Sequence, residues 1–194
     1  ICHLAYVSGE DVRYTQSDPW IATGFRGWRY GNLAPIKGTP QTIAVFEGGY
    51  TDPSVVVMPG RTVIVSARST TAPYPVTLKR SLNQGRTWED VPVGTFVADL
   101  TQLSLTQHRG VLHGAGIVGS NAVYRYSDDG GTTAKSLDRT ATVTAIICAA
   151  EDEQPDIVRD PTGILYVPCK TSTGIVIMTS SDGGNTWADT DSVA

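Results

Sequence analysis

The 194-residue chain contains no uninterrupted apolar stretch near the eighteen or so residues that span a bilayer. Nor does it start with a basic segment followed by an apolar one. A soluble chain is expected, and because it begins at Ile1 instead of Met, a longer parent product is expected too. Lysine and arginine together number 15 against 19 acidic residues, for a formal net charge of −4, and no basic cluster interrupts that balance. Nucleic acid is therefore not expected as a partner. The three cysteines, Cys2, Cys148 and Cys169, are odd in number and lack metal-ligand spacing, which rules out a complete internal disulfide framework. Cys148 and Cys169 read as buried free thiols, with a bridge between them as the alternative. His3, His108 and His113 are scattered over strand and turn positions and read as packing or surface groups, so no metal or cofactor is expected. The acidic run Glu151, Asp152, Glu153 reads as a solvated loop.

The residues that build long helices are modest in number, whereas strand formers abound in runs such as Val55, Val56, Val57 and Ile175, Val176, Ile177. Twenty glycines and eleven prolines spread along the chain suit many short strands joined by turns. One string recurs. It reads SSDGGNTW in its fullest form, with Ser180, Asp182, Gly184, Thr186 and Trp187 at fixed spacing. Earlier copies keep Ser81, Gly85, Thr87 and Trp88, with Asn83 able to serve in place of the aspartate, then Ser127, Asp129, Gly131 and Thr133, the last tryptophan giving way to Ala134. The copies start at 81, 127 and 180, and a period of roughly 40 to 50 residues signals a repeat architecture. Serine and aspartate side chains bond nearby backbone N–H groups, and glycine supplies positive φ, so each octet reads as a structural turn. The tryptophan is expected to bury its ring, and Ala134 to leave its corner less well filled.

Strands are expected over 3–7, 12–15, 55–57, 62–66, 76–80, 103–106, 111–118, 122–126, 157–158, 164–167 and 175–179, with a fourth strand after each octet. The segment from Asp52 to Arg68 has the same grammar as that from Gln154 to Lys170, the ends of each lying sixteen positions apart. Together these give an all-β chain of four-stranded antiparallel blades, over approximately 1–45 (partial), 46–95, 96–145 and 146–194, in a single domain 1–194. The aromatic and basic run around Arg26 and Trp28 reads first as a strand; the alternative, stacking on a sugar, makes Arg26 and Trp28 candidate binding residues.

The octets resemble the Asp boxes of sialidases and related bacterial-neuraminidase-repeat β-propellers, over about 140 residues. The resemblance implies a partial ring or fragment of a 6- to 7-bladed propeller. For a sialidase it implies an arginine clamp on a carboxylate, a tyrosine nucleophile activated by a glutamate, and an aspartate acid/base. A segment Glu-Pro-Ser-Val-Val, a glycine turn and an arginine carry part of that site in the family. Here the match is Asp52, Pro53, Ser54, Val55, Val56, then Gly60 and Arg68, one methylene shorter at the acid. Lys170 stands where a repeat-equivalent arginine would be, and Tyr50, Tyr124 and Tyr166 are offered as tyrosines. The implied catalytic residues are Asp52 and Arg68; the implied binding residues add Gln154 and Lys170. Three functions are expected from this pattern: a glycan-recognition module on a virion, cell surface or other extracellular site, a fragment of a retaining sialidase-like hydrolase, or an assembly propeller that binds protein or its own copies. The residues in view favour binding over catalysis. Function is expected at the end of the repeat opposite the octets.

Overall fold

In the computed structural model the described residues are 3–17, 28–29, 43–92, 94, 96–133, 145–149, 155–171 and 174–193. They form four antiparallel four-stranded sheets in chain order. The first holds β1 (His3–Ser8), β2 (Asp11–Ser17), β3 (Trp28–Arg29) and β4 (Ile43–Phe46), with β3 and β4 both pairing the free side of β2. The second runs β5 (Tyr50–Val57), β6 (Val63–Ser69), β7 (Val76–Ser81), β8 (Glu89–Asp90). The third runs β9 (Gln102–His108), β10 (Val111–Val118), β11 (Asn121–Ser127), β12 (Ala145–Ala149), and the fourth β13 (Val158–Arg159), β14 (Leu165–Thr171), β15 (Gly174–Ser180), β16 (Ala188–Val193). No helix among the described residues is long and apolar enough to cross a membrane.

The middle strands of the second and third sheets are covered on both faces, because alternate side chains point to opposite neighbours. Along β6, Val63, Val65 and Ala67 join Val12, Tyr14 and Phe46 of the first sheet, while Ile64 joins Leu103, Leu112 and Val123 of the third. Along β10, Leu112 faces back to the second sheet, while Ala115 and Ile117 face Leu165, Val167 and Cys169 of the fourth. Three apolar seams thus hold four sheets. Complete burial of an aliphatic side chain such as Val63 or Leu112 is worth about 1.5 to 3 kcal/mol.

The octets close the turn from third to fourth strand. In each, the serine hydroxyl donates to the residue two positions on and accepts from the glycine N–H: Gly85 to Ser81 at 2.7 Å, Gly131 to Ser127 at 3.0 Å, Gly184 to Ser180 at 2.7 Å. One oxygen of Asp182 takes the N–H groups of Asn185 and Thr186, each at 2.9 Å. Asn83 Oδ1 does the same for Arg86 and Thr87 at 3.1 and 2.9 Å. The remaining bond reverses direction: Thr186 Oγ1 donates to Asp182 Oδ2, whereas Asn83 Nδ2 donates to Thr87 Oγ1. Burial works against the Asp182 carboxylate, but the bonds from the Thr186 hydroxyl and N–H, from Ser180 and from Asn185 outweigh it and bring its pKa to about 2.

What the octets fix is the seam to the preceding sheet. Tyr14 of β2 lies over Gly85, where a Cβ would come within 2.3 Å of the ring; Tyr124 of β11 lies over Gly184, where a Cβ would come within 2.2 Å. Each tyrosine meets the octet tryptophan edge to face, Tyr14 with Trp88 at 5.1 Å and Tyr124 with Trp187 at 5.4 Å between centroids. Each also bonds a histidine Nδ1 at 2.6 Å, Tyr14 with His3 and Tyr124 with His113. Tyr124 donates to the Gly183 carbonyl at 2.8 Å, so its hydroxyl accepts from His113 and the imidazole carries its proton on Nδ1. In the seam between second and third sheets the corresponding residue is Leu78, over Gly131, backed by Leu112 and Phe96.

One expectation is corrected and one is extended. Cys169 is disulfide-bonded and buried in the seam beside Ile147, so it is not a free thiol; the partner sulfur belongs to no described side chain. The tryptophan rings pack on the neighbouring sheet in addition to their own corner. Beside Gly131 itself, Phe96 and Leu112 are both 0 % exposed. Ala134 and the run 151–153 lie outside the described residues.

Two predictions follow from the seam. Gly184→Ala, which meets a ring at φ +98°, should cost about 3 kcal/mol in chemical denaturation, whereas Gly183→Ala, at φ +79° with open space around it, should cost about 1 kcal/mol. Burial, then the charges of His108 and Arg159, lower His113 to about 4. Because the unfolded imidazole takes a proton that the folded one refuses, stability should fall as pH drops from about 6.5 to about 4. The depressed Asp182 pKa adds a small, solvent-screened loss from about 4 to about 2. Urea midpoints across pH should show both windows, with Asp182→Asn flattening only the lower one.

Candidate functional site

The ladder between β5 and β6 breaks at one place. Thr51 pairs with Arg68 and Ser54 with Ser66, which leaves Asp52 and Pro53 as a bulge. Proline suits the position because it has no N–H to lose from a ladder. Asp52 takes φ +51°, a left-handed backbone that aspartate tolerates better than longer side chains. The glutamate that the sequence resemblance implies is replaced here by a shorter acid, which the bulge tolerates.

The bulge turns Asp52 toward Arg68, with Nη1 at 3.4 Å from Oδ2 and both side chains about one third exposed. Thr51 Oγ1 donates to the other carboxylate oxygen at 3.2 Å. The Arg68 guanidinium also stands over the Tyr74 ring, 5.2 Å from its centroid. Its Nε is buried and unpartnered. Arg68 pairs with Val76 at the start of β7, while the octet begins at Ser81, opposite Val63. Five residues of extended strand, roughly 17 Å, separate this cluster from the octet end.

Next to the bulge, the first strands of three sheets converge. Ser54, Ser104 and Asp156 occupy corresponding places in the second, third and fourth sheets and, with Pro53, line a cavity of 330 Å³. Ser104 donates to Asp156 at 2.7 Å, and the Leu105 N–H donates to Ser54 at 3.0 Å. A larger groove of 630 Å³ lies near the octet end between the first and second sheets, lined in part by Tyr50, Lys79, Arg86 and Trp88. Its Lys79 pairs with Asp90 at 3.5 Å and stands over Phe46.

The other expected residues fall elsewhere. Lys170 is exposed on β14, opposite Ile175, at the place in the fourth sheet that Arg68 takes in the second. The third sheet has buried Ile117 at that place. Gln154 and Arg26 lie outside the described residues, and Trp28 is described only as part of β3. Tyr124 cannot serve as an accessible nucleophile: it is 2 % exposed, bonded on both sides, and its pKa is raised chiefly by burial. Tyr166 directs its hydroxyl toward Asp160 at 3.5 Å. His3 and His113 serve the seams described above. Tyr74 was not singled out by sequence; the sign available was an aromatic held between Pro73 and Pro75, six residues past Arg68.

No protein-family model matches the chain, and no curated protein matches it in sequence. Solved structures do match. A protein of unknown function from Dyadobacter fermentans superposes with a TM-score of 0.63 at 13% identity, covering 94% of this chain and 58% of that one. Trypanosoma rangeli sialidase, bound to a difluoro-nononic acid, gives 0.57 at 11% identity over 97% of this chain and 37% of its own. An ulvan lyase of a new polysaccharide lyase family gives 0.58 at 10% identity over 98% of this chain and 51% of its own. What is shared is the fold. These likenesses support a sialidase-like β-propeller fold, and the chain spans between 37% and 58% of these three proteins.

The bulge predicts an order among substitutions at its acid. Asp52→Asn should stay within about 0.5 kcal/mol of the parent, since asparagine tolerates the same backbone. Asp52→Glu should lose about 1 kcal/mol in urea titration despite keeping the charge.

Proposed function

We propose that the chain is a glycan-recognition module in which the four sheets are consecutive blades of one domain and of a larger propeller ring, 6- to 7-bladed in full. In this reading Arg68 receives an anionic group of the sugar, with Asp52 beside it, and Lys170 and Gln154 contribute from the corresponding end of the fourth blade. The observation that carries it is the treatment of one repeated position. The fold accepts a buried isoleucine there, at Ile117, so a cation at Arg68 is not needed to build a blade. An arginine kept partly exposed, with Nε unpaired and a strained acid next to it, fits a ligand contact better than it fits a structural bridge. The sialidase and lyase likenesses favour a carbohydrate, and the disulfide at Cys169 favours an oxidising, extracellular setting.

Binding is preferred to hydrolysis because the tyrosines offered as nucleophiles are otherwise engaged: Tyr124 is buried and bonded on both sides, Tyr166 turns toward Asp160, and Tyr50 packs against Phe46. The hydrolase reading keeps one support, the acid beside the arginine. Both readings face the same test, carried out with the α-methyl glycoside of N-acetylneuraminic acid for affinity and a fluorogenic sialoside for turnover. For the recognition module, Arg68→Ala should lower affinity tenfold or more and Arg68→Lys should recover only part of it, since an ammonium lacks the planar fork. Turnover that vanishes in Arg68→Ala would move the assignment to a hydrolase. Unchanged affinity in that variant would remove Arg68 from the site.

A further inference from the structure

Tyr74 is the least expected feature near Arg68. It is an aromatic residue at φ +62°, in a region that bulky side chains avoid, and it is 43 % exposed. Nothing is gained for the core by such a placement. Its backbone is nevertheless held firmly: Tyr74 N donates to Thr71 O at 2.9 Å, Ser69 N to Pro75 O at 2.9 Å, and Thr70 N to Gly49 O at 2.8 Å. Within the same turn Thr71 N donates to Ser69 Oγ at 3.1 Å. The turn between β6 and β7 therefore sustains a strained aromatic whose ring lies under a guanidinium.

We infer that Tyr74 is a positioning residue that sets the plane of Arg68 for a sugar carboxylate, acting through the guanidinium without touching the ligand. The inference rests on the reading of Arg68 as the anion contact. The protein gives Arg68 few other constraints. Its bond to Asp52 is long at 3.4 Å, and its Nε has no partner. With Arg68 Cζ over its face at 5.2 Å, the ring limits how the guanidinium can turn and favours presentation of its N–H edges in one plane, the geometry that a carboxylate requires. Two left-handed residues that are not glycine, Asp52 and Tyr74, thus bracket one cation, and backbone strain of this kind concentrates where a side chain must be held for a ligand.

The test separates a ring that positions from a residue that merely completes a turn. Affinity for the α-methyl glycoside of N-acetylneuraminic acid is measured beside its neutral methyl ester, together with melting temperature, for Tyr74→Phe, Tyr74→Ala and Tyr74→Gly. Tyr74→Phe keeps the ring face and should bind the acid as the parent does. Tyr74→Ala should lose about three- to fivefold toward the acid, the range expected of an exposed cation–π contact, and nothing toward the ester. Tyr74→Gly relieves the positive φ and should melt above Tyr74→Ala while binding the acid no better. Affinity that follows melting temperature across the three variants, or equal losses toward acid and ester, would overturn the inference. If Arg68→Ala binds as the parent does, the reading of the site itself fails. If Arg68→Ala is impaired and Tyr74→Ala is not, only the role of Tyr74 fails.

Discussion

The structure depends on an absent atom. Gly85, Gly131 and Gly184 each leave room for a side chain of the preceding sheet, and a Cβ at any of them would lie 2.2 to 2.7 Å from that side chain. The same glycine donates its N–H to the octet serine, so the tightness of the turn and the closeness of the neighbouring sheet are set at one residue. A sheet of this size cannot cover both faces by itself. It becomes a stable element only when stacked, and the glycines determine how closely the stack packs at its octet end.

Much of this was legible in the sequence, for identifiable reasons. Alternating apolar residues mark strands by a local rule, and the octet is a local hydrogen-bonding unit, so both survive without knowledge of the surroundings. Asn83 in place of aspartate could be read as equivalent because the bonds it makes are to its own backbone. The contacts between sheets were not legible. Tyr14 over Gly85 joins residues 71 apart, and the Cys169 bridge depends on which strand faces β14, a matter of stacking instead of periodicity.

The candidate site divides the same way. The pairing of Asp52 with Arg68 was visible as a repeated spacing. Its geometry was not, since a bulge replaces regular pairing between Thr51 and Ser54 and carries Asp52 into a left-handed backbone. Aspartate at 52, where the sequence resemblance implies a glutamate, looks like a loss of reach when read as a string. Within the bulge it is the residue the local backbone accepts. Tyr74 escaped notice because its partner is decided by the path of a turn that no periodicity describes.

The three seams are not equivalent, and the difference gives the chain a polarity of assembly. A tyrosine with its histidine faces an octet that ends in tryptophan, at Tyr14 with Trp88 and at Tyr124 with Trp187, whereas Leu78 faces the octet whose last residue is Ala134. The first and third seams therefore share one lock, and the middle seam carries another. Moving the octet at 127 to an outer seam would leave a tyrosine ring without its edge contact, and moving either tryptophan octet to the middle seam would set a tryptophan against leucine. The alternation of two locks restricts which octet can follow which sheet, although the hydrogen-bonded turn is the same in all three.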